Sequence, residues 1–217
     1  MSERIICLII GYAFGLIHTS YIYSKANGVD IRKMGSGNAG TTNALRTMGA
    51  KAGVITLLGD VFKCVLAVLV TWLLFRNSHP SLFPLLKVWT AAGVILGHDF
   101  PFYMKFKGGK GIAATAGMVL SFGDWRLLVL AIICFFGFFL VTHYVSLGSI
   151  FLSIGFFAGM LVFCILGHYS MTQPHLTEMC VLTAVLAALN IWQHRANIQR
   201  LVAGNERKTY LTKKSDQ

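Results

Sequence analysis

Three polar segments interrupt an otherwise greasy chain, and each holds residue types suited to gripping anions. The first runs through Gly35, Ser36, Gly37, Asn38, Thr41, Thr42 and Asn43 to Arg46. The second is Gly108-Gly109-Lys110-Gly111, and the third carries His194, Asn197, Arg200, Gly204 and Glu206. Glycines let successive backbone N–H groups turn toward one point, an anion nest. Ser36, Thr42 and Asn43 add neutral donors, and a guanidinium such as Arg46 grips two phosphate oxygens at once. Gly-Gly-Lys-Gly opening a helix brings a positive helix terminus, bare amides and an ammonium together. It is not a nucleotide P-loop: Met104 stands where the first glycine belongs, and Gly111 replaces the Ser or Thr that would hold magnesium. An NTPase is a poor reading. His194, Asn197 and Arg200 recur every third residue, close to one face if the last helix continues. They offer an imidazole, an amide and a guanidinium to one polar substrate. Ser146 is a weaker contributor, able to cap the helix after it or donate to a phosphate. Each segment also reads plainly as an interhelical turn or a solvated helix end. Phosphate chemistry between lipid-like stretches points instead to an enzyme for a phosphorylated lipid precursor.

The elements that must position these segments are membrane helices. Only 12% of the 217 residues are charged and 55% are hydrophobic, with mean hydropathy +0.65; a soluble domain carries about a quarter charged residues. The chain is therefore expected to be an all-α integral membrane protein with a single domain, 1–217, whose basic polar tail covers 195–217. A bilayer core takes about 20 apolar residues as a helix. The candidate spans are 5–23, 53–75, 85–103, 111–122, 127–141, 147–166 and 176–192. The first lacks the basic start and small-residue exit of a cleaved signal peptide and is read as a retained span.

Charge sets the orientation. With seven crossings, one face collects the loops 25–51, 104–110 and 142–146 and the tail from His194. Those segments hold 14 of the 19 Lys and Arg. If the short fourth span did not cross, the basic tail would end outside, against the positive-inside rule. It reaches across by starting near Gly109 and ending at Trp125-Arg126, or by thinning the bilayer. Seven spans follow, with the N-terminus outside, the C-terminus cytoplasmic and all three polar segments on the cytoplasmic face. The net charge of +11 then belongs to basic loops beside anionic headgroups rather than to nucleic-acid binding. Asp60 and Lys63 share a helical face inside the second span and are expected to form an ion pair that orders the bundle. His98 reads as a structural, interfacial histidine. The five cysteines lie in apolar stretches without metal-ligand spacing, so neither a disulfide framework nor a metal site is indicated.

Taken in order, Gly35-Ser36-Gly37-Asn38-Ala39-Gly40-Thr41-Thr42-Asn43 with Arg46, then Gly108-Gly109-Lys110-Gly111, then His194, Asn197, Ile198, Arg200, Leu201, Gly204 and Glu206 resemble the bacterial acylphosphate-dependent glycerol-3-phosphate acyltransferases. The likeness extends from the first span to Lys208, with Thr41 standing where that family usually has Ala. The resemblance implies a seven-helix enzyme of the bacterial inner membrane that acylates the sn-1 hydroxyl of glycerol 3-phosphate, giving lysophosphatidic acid and inorganic phosphate. An acylphosphate is a mixed anhydride and already activated, so no covalent intermediate, cofactor or metal is required. The implied site has Ser36, Gly37, Asn38, Arg46 and the Gly108-Gly109-Lys110-Gly111 loop binding two phosphates, with Gly35, Thr42, Asn43, Ser146 and Arg200 in support. His194 and Asn197 orient glycerol 3-phosphate, Glu206 holds the tail and its cationic partners, and either His194 or the substrate phosphate takes the hydroxyl proton. The expected partners are the two substrates, the bilayer and, transiently, the soluble enzyme that makes the acylphosphate; the chain is expected to be a monomer. Residues alone leave an acyl-CoA or acyl-carrier-protein donor open, and a transporter of a small organic phosphate is the rival reading. A CDP-alcohol phosphotransferase would need an intramembrane Asp cluster that Asp60 alone does not make.

Overall fold

A computed structural model describes residues 1–210; the end of the expected tail, 211–217, lies outside the described residues. Regular structure in the described part is helical: α1 (Ser2–Gly15), α2 (Thr19–Ala26), α3 (Thr41–Met48), α4 (Ala50–Phe75), α5 (Phe83–Asp99), α6 (Ile112–Phe122), α7 (Trp125–Thr142), α8 (Val145–Ile165), α9 (Gln173–Gln193) and α10 (Arg195–Val202). Five segments are long and apolar enough to cross a membrane: α1 with α2, then α4, α7, α8 and α9. The seven expected crossings thus include two shorter helices, α5 of 17 residues and α6 of 11. At 1.5 Å per residue, α6 rises only about 16 Å, roughly half a hydrocarbon core. Phe102–Met104 forms a 3-10 turn, and the chain from there to Gly111 is irregular.

The first expected span is not one helix. It breaks at Leu16–His18, and a break at lipid depth leaves carbonyls that must find donors. Lys63 Nζ donates to the Ile17 carbonyl at 2.8 Å and the Gly15 carbonyl at 3.3 Å. The Tyr103 hydroxyl donates to the Leu16 carbonyl at 2.6 Å. Asp60 balances the ammonium at 2.9 Å, so the expected intramembrane ion pair forms, with both side chains at most 3% exposed. The pair does more than order the bundle, because it caps a broken helix.

Helices α1 and α5 approach through two facing Gly-x-x-x-Gly motifs, Gly11 with Gly15 and Gly93 with Gly97. A Cβ on Gly97 would lie 3.0 Å from the Gly15 Cα and overlap the Tyr12 carbonyl; one on Gly93 would lie 2.9 Å from the Gly11 Cα. Small residues let membrane helices pack backbone to backbone, where dispersion replaces the missing hydrophobic drive. Around this contact sits the core of Leu85, Val88, Val94, Ile95, Met118, Leu127, Met160 and Met179. Leucines, valines and phenylalanines of α4 and α7 instead face outward, as a lipid-exposed surface requires.

Polar side chains gather at the two ends of the bundle. At one end Glu178 accepts from Arg4 at 2.5 Å and from the Trp89 indole at 2.8 Å, tying α9, α1 and α5 together. Asp124 there pairs with Arg126 at 2.7 Å. The other end collects the Gly-rich segments and the described part of the tail. Replacing Gly97 by Leu should force α1 and α5 apart at a cost of about 3 kcal/mol or more. Thermal unfolding in detergent checks this: a wild-type midpoint for Gly97→Leu would mean that the two helices do not pack so closely.

Candidate active site

The first segment is closed upon itself. Gly35 and Gly37 adopt φ of +58° and +71°, a left-handed turn open to glycine. Asn43, buried on α3, staples the loop: its Oδ1 accepts from the Ser36 N–H at 2.9 Å and its Nδ2 donates to the Met34 carbonyl at 3.0 Å. The Gly37 N–H donates to the Met34 carbonyl at 2.9 Å. Asn38 reaches across to donate to the Gly108 carbonyl at 3.0 Å, joining the first loop to the second. Thr42 sits in the first turn of α3, half-buried.

The second segment departs from the expected nest of bare amides. The Gly108 N–H donates to the Asp99 carbonyl at 3.0 Å and the Gly109 N–H to the His98 carbonyl at 2.9 Å. Both amides are engaged in building the turn. Its anion-binding capacity rests on Lys110 and the N–H groups that open α6, beginning at Gly111 in left-handed conformation (φ +72°). Lys110 Nζ points to Asn197 Oδ1 and hydrogen-bonds it. Burial, opposed by Glu206 and reinforced by Arg200 and Arg46, lowers its pKa to about 8.

The third segment is not a continuation of α9. The helix yields at His194, which caps α10, yet His194 and Asn197 remain buried and Arg200 half-buried along one side. His194 Nδ1 lies 2.7 Å from the Asn190 carbonyl. A carbonyl only accepts, so Nδ1 carries the proton and Nε2 keeps its lone pair. Burial, with the charge of Lys110, lowers this imidazole's pKa to about 4 despite the Asn190 contact.

Glu206 joins the segments. Its Oε1 accepts from Asn197 Nδ2 at 2.7 Å and Ser146 Oγ at 3.1 Å, and its Oε2 from Arg200 Nε at 2.7 Å. Ser146 therefore serves the carboxylate rather than capping α8, whose start has no side-chain cap. Arg46 closes the circle from α3: its Nη2 donates to the Arg207 carbonyl at 2.7 Å and the Thr209 hydroxyl at 2.5 Å. The Thr209 N–H in turn donates to the His143 carbonyl at 2.9 Å. Lys110, His194, Asn197, Ser146, Arg200, Glu206 and Arg46 thus form one continuous polar surface. Ser36 stands exposed on the first loop.

Sequence reasoning missed Thr209 and Asn190. Thr209 lies past the last motif. Asn190, whose side chain ties α9 to Thr115 of α6 (3.0 Å) and Ser153 of α8 (3.2 Å), left one signal: an amide four residues before His194 in an apolar helix.

The sequence profile of the family described as glycerol-3-phosphate acyltransferase matches residues 5–204. A glycerol-3-phosphate acyltransferase of Thermotoga petrophila is 38% identical over 207 residues, 95% of this chain and 96% of its own length. That of Thermosipho melanesiensis is 40% identical over 216 residues, covering 95% and 93% respectively. The crystal structure of PlsY, an integral membrane glycerol 3-phosphate acyltransferase in its glycerol 3-phosphate form, superposes with a TM-score of 0.79 at 31% identity, across 95% of this chain and 96% of that one. Its lysophosphatidic acid form gives 0.77 at 30% identity, across 95% of both.

Glu206 makes the network sensitive to acid. Burial raises its pKa, but hydrogen bonds from Asn197 and Arg200, the Arg200 charge and Ser146 outweigh burial, and the net shift is downward. A carboxylate held below its unfolded value stabilises the fold fully above that value and loses its contribution as pH falls through the folded pKa. The midpoint of Glu206→Gln should therefore lie several degrees below wild type at pH 7, with the gap closing below about pH 4. A gap independent of pH would sink the assignment.

Proposed function

The chain belongs to the glycerol-3-phosphate acyltransferase family, and from that premise we propose that it transfers a fatty acyl group from acylphosphate to the sn-1 hydroxyl of glycerol 3-phosphate. The products are lysophosphatidic acid and inorganic phosphate. The observation that carries this reading is the gathering of Arg46, Lys110 and Arg200 with the neutral donors Asn197 and Ser146 around a single carboxylate. Among the described residues the cations outnumber the carboxyls near Lys110 (Glu206 and Asp99), which suits substrates that each bring a phosphate.

In the proposed reaction the sn-1 oxygen attacks the acyl carbon. The new ester C–O bond forms, the bond from that carbon to the phosphate oxygen breaks, and phosphate leaves with the electron pair. No covalent enzyme intermediate is invoked. His194 Nδ1 faces a backbone carbonyl rather than a carboxylate, and Ser146 donates to a Glu206 already engaged by Asn197 and Arg200, so these side chains do not make a Ser–His–carboxylate triad. Positioning the hydroxyl against the acyl carbon can lower the barrier by about 7–11 kcal/mol. Lys110, Arg46, Arg200 and the N-terminus of α6 stabilise the leaving phosphate, with Ser36, Gly37 and Asn38 of the first loop beside them, and His194 and Asn197 orient glycerol 3-phosphate. For the hydroxyl proton, a phosphate monoester with a second pKa of about 6 is a stronger base than an imidazole at about 4. The substrate phosphate is the favoured acceptor of the sn-1 proton, which leaves His194 Nε2 to accept a hydrogen bond from the neighbouring sn-2 hydroxyl and so orient the glycerol.

The proposed topology has seven crossings, the N-terminus outside and the site at the cytoplasmic face of the bacterial inner membrane, with the chain acting as a monomeric single domain. Its support is the alternation of helix ends. The start of α6 lies beside Asn190 near the end of α9, while the end of α7 meets the tail through His143 and Thr209. Segment α6 must then leave the site face and α7 return to it. The basic loops fall on that same face. The acyl chain would lie between helices, open to lipid, and the acylphosphate would arrive from the soluble enzyme that makes it.

Purified protein given glycerol 3-phosphate with palmitoyl phosphate, palmitoyl-CoA or acyl-carrier protein should yield lysophosphatidic acid with palmitoyl phosphate alone. Product from CoA alone would overturn the donor; none from any donor would move organic-phosphate transport to the front. Lys110→Ala and Arg46→Ala should each lose about 100-fold or more in rate while remaining folded. The Lys110 ammonium is needed to bind an anion, so kcat/KM for glycerol 3-phosphate should fall as pH rises through about 8. That limb should vanish in Lys110→Met. His194→Asn at full turnover would exclude histidine as the base, whereas an acid limb that disappears in His194→Asn would restore it.

A further inference from the structure

Below the phosphate loop lies a buried group of side chains that the reaction as described does not use: Asp60 and Lys63 of α4, His18 at the α1–α2 break and His98 of α5. We propose that His98 is a positioning residue of the transfer site, clamped by Lys63 so that its ring forms the bed on which the Gly108-Gly109 turn, and with it Lys110, is laid. This rests on the acyltransferase reading, in which Lys110 holds a phosphate.

The clamp is complete. Lys63 Nζ shares its three N–H groups among four acceptors: His98 Nδ1 and the Ile17 carbonyl at 2.8 Å, Asp60 Oδ1 at 2.9 Å and, at the longest distance, the Gly15 carbonyl at 3.3 Å. An ammonium has donors and no acceptor. His98 Nδ1 must therefore be bare, and the ring proton sits on Nε2. Behind it the His18 ring stacks on the His98 ring, with centroids 4.7 Å apart and planes 13° from parallel. His98 is 2% exposed and His18 fully buried.

The loop is built against this double layer. The His98 carbonyl accepts the Gly109 N–H and the Asp99 carbonyl the Gly108 N–H. A Cβ on Gly109 would overlap His98 Nε2. One on Gly108 would overlap the His98 carbonyl and come 3.0 Å from His18 Cε1. Gly109 is thus required by the His98 ring and Gly108 chiefly by the His98 carbonyl, with His18 beside it, and Lys110 follows directly. A purely structural histidine would stabilise the bundle and have no such coupling to the next residue of the site.

Removing Lys63 would also uncap the α1–α2 break, so the test uses His98. His98→Asn keeps an acceptor near the Nδ1 position for Lys63 but removes the ring edge under Gly109; His98→Gln extends an amide toward the Nε2 position. In the expected result His98→Asn unfolds within a few degrees of wild type yet loses about 100-fold in kcat/KM for glycerol 3-phosphate, the loss expected of an ångström-scale misplacement, and His98→Gln regains a substantial part. The thermal shift that glycerol 3-phosphate gives the wild type should disappear in His98→Asn, as in Lys110→Met. Because His98 acts through Lys110, the double variant His98→Asn with Lys110→Met should be no worse than Lys110→Met alone. Losses that multiply in the double variant, or a lowered midpoint with kcat/KM and ligand shift intact, would overturn the proposal. If His98→Asn does not fold, the same cycle run with His98→Gln decides it. Wild type inactive with every acyl donor would defeat the acyltransferase reading instead, while the thermal-shift cycle would still judge His98.

Discussion

One buried carboxylate organises the polar end of this molecule. Arg46, Lys110 and Arg200 come from three separate stretches of chain, and like charges brought together repel where water screens only partly. Glu206 lowers that repulsion and gives the donors around it a common acceptor. It leaves the cations incompletely satisfied. Among the described residues, Arg200 engages it through Nε, Lys110 is held through the neutral amide of Asn197, and Arg46 bonds to a hydroxyl and a carbonyl. The surface is ordered but still strongly positive. That is the electrostatic state a phosphate-binding site needs before its ligand arrives, since donors already in place cost no reorganisation at the moment of reaction.

The same economy governs the scaffold below. Lipid offers no partner to an unpaired polar group, so a broken helix or buried charge persists only where other groups satisfy it. The α1–α2 break exposes three successive carbonyls, and Lys63 and Tyr103 supply donors to all of them. The Gly-x-x-x-Gly contact between α1 and α5 brings the break close to His98. Glycines in the hydrophobic interior thereby hold the break beside the residue on which the Gly108-Gly109 turn is built.

Much of this was legible in the sequence, because the relevant signals are local. Glycine clusters, a lysine before an apolar helix and cations after the last span fix which residues can meet phosphate. The bias of basic residues toward alternate loops indicates which segments share a face. What was not legible depends on partners distant in the chain. Nothing in the run from Ile5 to Tyr23 announces a break, since its carbonyl caps come from Lys63 and Tyr103. The amides of Gly108 and Gly109 look free until the carbonyls of His98 and Asp99 are seen to take them. Glu206 could be read as a holder of cations, but Thr209, which bonds Arg46 across the site, has no pattern to mark it.

The two histidines flanking the loop show how environment assigns chemistry to identical side chains. An ammonium faces His98 Nδ1 and can only donate, so the proton is driven to Nε2, beside Gly109. A carbonyl faces His194 Nδ1 and can only accept, so the proton stays on Nδ1 and Nε2 is left bare. Donors for a phosphate and an acceptor for a hydroxyl are different demands on a ring nitrogen. A histidine free to exchange tautomers would offer each only part of the time. With both rings neutral and locked in opposite tautomers, the one on α5 is fit to support the loop that carries the cation. The one at the end of α9 is left with a bare Nε2 that can accept a hydrogen bond. The division of labour follows from which backbone and side-chain groups the helices place at each Nδ1, and it requires no residue beyond those that already hold the bundle together.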